Sequence, residues 1–220
     1  MYRLVAFDMD GTIGDTYPGF FRSIQIAVKN SFGKECTIED IVSHLGISDL
    51  GIIKAIAGEK WKQVFDDYLR TYEVIEDPAP RLFSGMKECV LRLRSRGIKL
   101  ALVTGKCPES CSITLKRFGM EGVFDAVKTG VEDRNIKSEN MSSAIEELGF
   151  DKEECCYVGD DLSDIFESRK AGIECYSAAW AKTESETEEL KENNPGKVFL
   201  RPEDFINYIL SQNLIHQSKG

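Results

Sequence analysis

A chain of 220 residues, 42% apolar and 30% charged, suits one soluble domain or one domain with an insertion, and is long enough to bury a substantial core. Its net charge of −9 argues against a nucleic-acid surface, and no run approaches the ~20 apolar residues of a membrane span. The expectation is a soluble, cytoplasmic protein, monomeric or weakly dimeric, with no nucleic-acid or membrane partner. Seven cysteines (36, 89, 107, 111, 155, 156 and 175) without a CxxC pair fit free thiols of a reduced compartment better than disulfides. With only His44 and His216 available to join Cys107 and Cys111, a zinc site is not expected.

Leu4 to Phe7 is a short apolar strand that stops on two carboxylates, Asp8 and Asp10, followed at once by Gly11 and Thr12. In parallel α/β sheets ligands bind beyond the carboxyl ends of the strands, so acids placed there point into a crevice. Gly11 lets the backbone turn sharply and brings amide hydrogens near an anion. From Tyr17 to about Ile75 the pattern is helical, with Phe20, Phe21, Ile24 and Val28 at spacings of three and four. Thr37 with Asp40 forms a capping-box pattern opening a second helix, which Gly46 is expected to end. Ser48 to Ala57 reads as a third helix and Trp61 to Val74 as a strongly amphipathic fourth.

The two prolines of DPAP, residues 77–80, resist helix and suit a hinge. Helix and strand then alternate: a helix after Gly85, strand Ile98 to Val103, helix Pro108 to Phe118, strand Ala126 to Thr129, helix Glu139 to Leu148. Strand Cys155 to Val158, helix Leu162 to Lys170 and strand Glu174 to Ser177 follow, with a short strand at Val198 and a closing helix from Pro202 to Leu214. Such alternation predicts an α/β fold, a doubly wound parallel sheet with right-handed crossovers. The expected domains are a core of residues 1–15 and 80–220 and an inserted four-helix cap, 16–79.

Three later segments carry polar residues at the same end of this sheet. The strand to Val103 runs into Thr104-Gly105-Lys106, where a hydroxyl and a flexible backbone can donate hydrogen bonds to a phosphoryl oxygen. Lys137 stands just before a helix. The strand to Val158 leads into GDDLSD, placing Asp160, Asp161 and Asp164 close together. Clustered carboxylates repel unless a cation, a lysine or water compensates, and an oxygen-only set suits Mg²⁺. Asp161 or Ser163 also suits a helix cap, with Asp164 a favourable charge in the first turn.

DMDGT, a strand ending in threonine, a lysine and GDxxxD, in this order, resemble the motifs of the haloacid dehalogenase superfamily of phosphohydrolases. The helical insertion, the sequence LVTGK and the Trp180 region are similar to the phosphoglycolate phosphatase and β-phosphoglucomutase branch. The resemblance implies that Asp8 attacks phosphorus and that Asp10 serves as acid and then base. It implies Mg²⁺ held by Asp8, the Asp10 backbone carbonyl and Asp160, with phosphate contacts from Asp10, Gly11, Thr104, Gly105 and Lys137. Two departures stand out: the family's third motif often reads Lys-Pro where Ser138 follows Lys137 here, and either Asp161 or Asp164 could support the metal beside Asp160.

The implied activity is a Mg²⁺-dependent phosphatase of a small phosphorylated metabolite, phosphoglycolate first, with pyrophosphate or nucleotide monophosphates close behind. A phosphomutase is the alternative enzyme and a phospho-accepting signalling domain the alternative class. A second acid at Asp10 suits a leaving group that must be protonated, which a departing halide does not. Tyr17, Phe20, His44 and Lys54 are candidates for leaving-group recognition, although each also suits an ordinary helical role.

Overall fold

The computed structural model describes residues 1–217, with side chains to residue 213. His216, weighed above as a metal ligand, lies outside the described side chains. The chain opens with β1 (Leu4–Phe7) and β2 (Gly14–Asp15), followed by α1 (Tyr17–Phe32), α2 (Ile38–Val42), α3 (Asp49–Ala57) and α4 (Trp61–Val74). After β3 (Arg81–Leu82) come α5 (Met86–Ser95), β4 (Lys99–Val103), α6 (Pro108–Arg117), β5 (Ala126–Lys128) and α7 (Lys137–Leu148). The remainder is β6 (Cys155–Gly159), α8 (Leu162–Ala171), β7 (Glu174–Ala178), α9 (Glu184–Asn193), β8 (Val198–Phe199) and α10 (Pro202–Gln217).

Six strands form one sheet in the order β5-β4-β1-β6-β7-β8, and every neighbouring pair is parallel. Side chains alternate across a strand, so the apolar run of β1 feeds two cores at once. Val5 and Phe7 join Leu100, Leu102, Cys156 and Val158 under α5, α6 and α10. Leu4 and Ala6 join Ala101, Val103, Cys155 and Tyr157 under α7 and α8. This two-sided burial explains why the central strands read as continuous apolar runs, and it leaves β1 flanked by β4 and β6, the strands whose ends carry the polar motifs.

Helices α1 to α4 close a third core of their own around Phe20, Ile24, Ile41, Ile53, Val64 and Tyr68, joined by Cys107 at the start of α6. The expected capping box forms, with the Thr37 side chain accepting from Asp40 N and Asp40 accepting from Thr37 N. Gly46 does not end α2: the helix stops at Val42, and Gly46, at φ 110°, lies in the loop beyond. Two elements were not anticipated. One is the antiparallel ribbon β2–β3, pairing Gly14 with Leu82 and Asp15 with Arg81; strands of two residues carry no periodicity. The other is α9, whose Thr183 and Glu186 complete a capping box but whose face buries little besides Leu190 and Thr187. Among the described residues, all seven cysteines are buried free thiols, and no helix is long and apolar enough to cross a membrane.

Candidate active site

The carboxyl ends of the three adjacent strands β4, β1 and β6 bring Thr104, Asp8 and Asp160 to one place. Asp8 and Asp160 are buried, at 4% and 2% exposure. Two glycines make the crowding sterically possible. Gly11 adopts φ +77°, and a β-carbon there would lie 2.2 Å from Asp160 Oδ2; a β-carbon on Gly159 would lie 2.2 Å from Asp164 Oδ2. The Gly11 amide itself donates to Gly14 O at 2.9 Å, closing the loop after β1.

Buried acids demand counter-charges. Lys137, the first residue of α7 and not the turn residue before a helix at Glu139, places its ammonium 3.1 Å from Asp8 Oδ2 and 2.6 Å from Asp164 Oδ1. Asn135 Oδ1 accepts the Lys137 amide at 2.9 Å and fixes the start of that helix. Where a proline is common, Ser138 uses its N–H, donating to Glu167 Oε2 at 3.3 Å. Lys182 lies 2.6 Å from Asp160 Oδ2. It is carried by the segment after β7, which Trp180 ties to the first loop by donating Nε1 to Thr12 O at 3.1 Å. Lys106 lies 3.2 Å from Asp10 Oδ1, and the Thr16 hydroxyl donates to the same oxygen.

Of the residues nominated from sequence, Asp8, Asp10, Gly105, Lys137 and Asp161 line one cavity of about 400 Å³, together with Lys106 and Asn135. Thr104 is fully buried behind it, its hydroxyl accepting the Lys106 amide at 3.2 Å. Asp161 and Asp164, both weighed beside Asp160, take different places. Asp161 is the N-cap of α8, accepting from Ser163 N at 2.8 Å, whereas Asp164 is fully buried and, with Asp8 and Asp160, brings carboxylate oxygens within 4.8 Å of one another. Asp164 also accepts from Asp161 N at 3.1 Å, and the Tyr157 hydroxyl lies 3.3 Å from it. Tyr17 and Phe20 line the cavity from the helical side. Lys54 instead pairs with Glu132 and lies over the Trp61 ring, and His44 sits in the turn that ends α2, its N–H donating to Ile41 O at 3.1 Å.

Burial pushes the Asp8 carboxyl well above the usual carboxylate range; Lys137 opposes this, while Asp164, Asp160 and Asp10 add to it. Burial likewise lifts Asp160 to about 6, against the pull of Lys182. Burial works against the Lys137 ammonium, but Asp164 and Asp8 more than offset it, so the lysine stays protonated. Asp8 Oδ1 is buried with no hydrogen-bond partner among the described residues. An orphaned carboxylate oxygen beside two more buried carboxylates is a donor set that fits a small divalent cation such as Mg²⁺.

The chain belongs to the haloacid dehalogenase-like hydrolases, whose pattern matches residues 5–178. Over 180 residues it is 30% identical to a protein of Caldanaerobacter subterraneus provisionally named pyrophosphatase PpaX, covering 80% of this chain and 81% of that one. It is 22% identical over 208 residues to the phosphoglycolate phosphatase of Aquifex aeolicus, covering 93% of this chain and 95% of the relative. A predicted phosphatase from Clostridium acetobutylicum shares the fold, with a TM-score of 0.75 at 19% identity over 96% of this chain and 99% of the other.

Proposed function

We propose that this chain is a Mg²⁺-dependent phosphatase acting on a small phosphorylated metabolite through an aspartyl-phosphate at Asp8. The observation that carries the reading is the pairing of Asp8 and Asp10 in one cavity with separate lysines assigned to each. Relatives named as pyrophosphatase and phosphoglycolate phosphatase support a small, highly charged substrate. The helices α1 to α4 act in this reading as a cap domain, residues 16–79, over the core formed by 1–15 and 80–217.

Asp8 attacks phosphorus and the leaving oxygen departs on the opposite side, in line. Lys137 holds Asp8 Oδ2 and so fixes the orientation of the nucleophile. Asp10 protonates the departing oxygen and then takes a proton from the water that hydrolyses the acyl phosphate; one group can do both because the second step reverses the first. Its Oδ1 is held by Thr16 and Lys106, which leaves Oδ2 to carry the proton. Asp8, Asp160 and the Asp10 backbone carbonyl would hold Mg²⁺, with Asp164 beside them. Bound there, the ion would offset the repulsion between the attacking carboxylate and the phosphoryl dianion.

The test is phosphate release from a panel of small phosphorylated metabolites, with Mg²⁺ and with EDTA. The expected result is release that needs Mg²⁺ and disappears in Asp8→Asn. Isomerised product without net phosphate release would move the assignment to a phosphomutase, and a phosphoenzyme stable for minutes would move it to a signalling domain.

A further inference from the structure

Holding Asp10 Oδ1 uses only part of the hydrogen-bonding capacity of the buried Lys106 ammonium. Its side chain is 2% exposed, yet it lines the cavity. It lies 3.2 Å from Asp10 Oδ1, 4.9 Å from the centre of the Tyr72 ring and 5.2 Å from that of Phe20. An ammonium has three N–H donors; Asp10 takes one, the Tyr72 hydroxyl is a second hydrogen-bond partner, and the Phe20 ring offers only its face. Burial works against the charge, but the Asp10 carboxylate more than offsets that and keeps Lys106 protonated.

The two lysines on the cavity wall pair with different carboxylates. Lys137 is committed to Asp8 and Asp164 on the phosphoryl side. Lys106 stands on the side of Asp10, where the leaving oxygen must arrive to be protonated. The nearby Asp49 carboxylate has both oxygens occupied, accepting from Tyr68 OH at 2.6 Å and Cys107 N at 2.8 Å. It therefore repels an incoming anion less than a free carboxylate would, while Phe20 and Ile52 supply an apolar wall.

We propose that Lys106 binds a second anionic group, a carboxylate or phosphate carried by the leaving group within a few bonds of the scissile oxygen. Resting on the phosphatase reading, this defines the substrate class as small phosphoesters or anhydrides whose leaving group is itself an anion. Desolvated by Phe20 and Tyr72, the ammonium forms a charge-assisted hydrogen bond stronger than its counterpart in water. A neutral leaving group would leave the remaining donor without an anionic partner, so Lys106 selects by charge.

The test compares phosphoglycolate and pyrophosphate with 2-hydroxyethyl phosphate, in which an alcohol replaces the carboxylate of phosphoglycolate and the reacting atoms are unchanged. The wild-type enzyme should favour an anionic leaving group in kcat/KM by about ten- to a hundredfold. Lys106→Met should bring the preference to within about threefold, and Lys106→Arg should keep most of it. The ratio between substrates within one variant is the readout, because losing the Asp10 partner lowers both rates together. A wild-type enzyme without the preference, or a Lys106→Met variant that keeps it, overturns the subsite and leaves the phosphatase intact. No release from any phosphorylated compound removes the phosphatase reading itself. If Lys106→Met does not fold, competition on the wild-type enzyme decides: glycolate should inhibit phosphate release where ethylene glycol does not, and equal inhibition overturns the proposal.

Discussion

The α-carbon of Gly11 sits so close to Asp160 that a β-carbon there would stand 2.2 Å from Oδ2. The turn after the first strand and the acid after β6 are therefore shaped for one another. Gly11→Ala must either displace Asp160 or reopen the turn, and its φ of +77° adds a backbone cost of about 1–3 kcal/mol for a residue with a side chain. The expected outcome is a lower denaturant midpoint together with weaker Mg²⁺ binding, read by urea unfolding and by calorimetric titration. Unchanged Mg²⁺ affinity would show that Asp160 does not hold the ion.

Asp8→Asn should abolish phosphate release, by about 10⁴-fold or more, while the fold persists. Burial, Asp164 and Asp160 all disfavour the ionised Asp8, so a neutral isostere relieves repulsion in the metal-free protein. Its melting temperature without Mg²⁺ should match or exceed that of the wild type, and the increment on adding Mg²⁺ should shrink. A large fall in the metal-free melting temperature would mean that the Lys137 pair outweighs the repulsion.

Removing Lys137 should do the opposite. Its ammonium is shared between two buried carboxylates, and breaking such a contact from one side typically costs about 3–5 kcal/mol. Lys137→Met is expected to lose activity and much of its stability, with Asp164→Asn in the same chain restoring part of the stability. Chemical denaturation of the single and double variants measures both.

The pH dependence of metal binding follows from Asp160, lifted by burial from an ordinary 3.8 to about 6. In the metal-free fold its ionisation costs stability above about 6, a cost that fades as pH falls through 6 toward the unfolded value. A cation needs the ionised carboxylate, so binding below about 6 must expel a proton from Asp160, beside any held by the raised Asp8, and Mg²⁺ affinity should fall at least about tenfold per pH unit there. The rise in melting temperature on adding Mg²⁺ should thus be largest near neutrality and small at about pH 5. An increment that does not change across this range would separate Asp160 from the metal.

Much of the fold could be read from the sequence because each central strand is a short apolar run that ends on polar residues. Asp8, Asp10, Thr104 and Asp160 sit within a residue or three of such an end, so their convergence follows once the strands are parallel and adjacent. Lys182 gave no such signal: it reaches Asp160 from a loop after β7, and its residue type alone suggests solvent. Asp49 was hidden for a similar reason, since a first-turn aspartate is usually a helix-end charge, and only packing against α6 turns it into the acceptor for Cys107 N. The difference between Asp161 and Asp164 was hidden because their spacing alone does not say which is buried: Asp161 caps α8 at the edge of the cavity, whereas Asp164 is fully buried beside Asp8 and Asp160.

The short ribbon β2–β3 gives the helical insertion a modular boundary. Asp15, where the chain departs, is the cross-strand partner of Arg81, where it returns. The intervening segment thus begins and ends side by side on a two-stranded ribbon separate from the parallel sheet, and a two-residue hairpin turn could span the gap. A helical bundle of another shape could be grafted at that junction without changing the register of any strand in the parallel sheet. Diversification by exchange of whole inserts is therefore built into the connectivity, with Asp8, at the end of β1, one strand away from the seam.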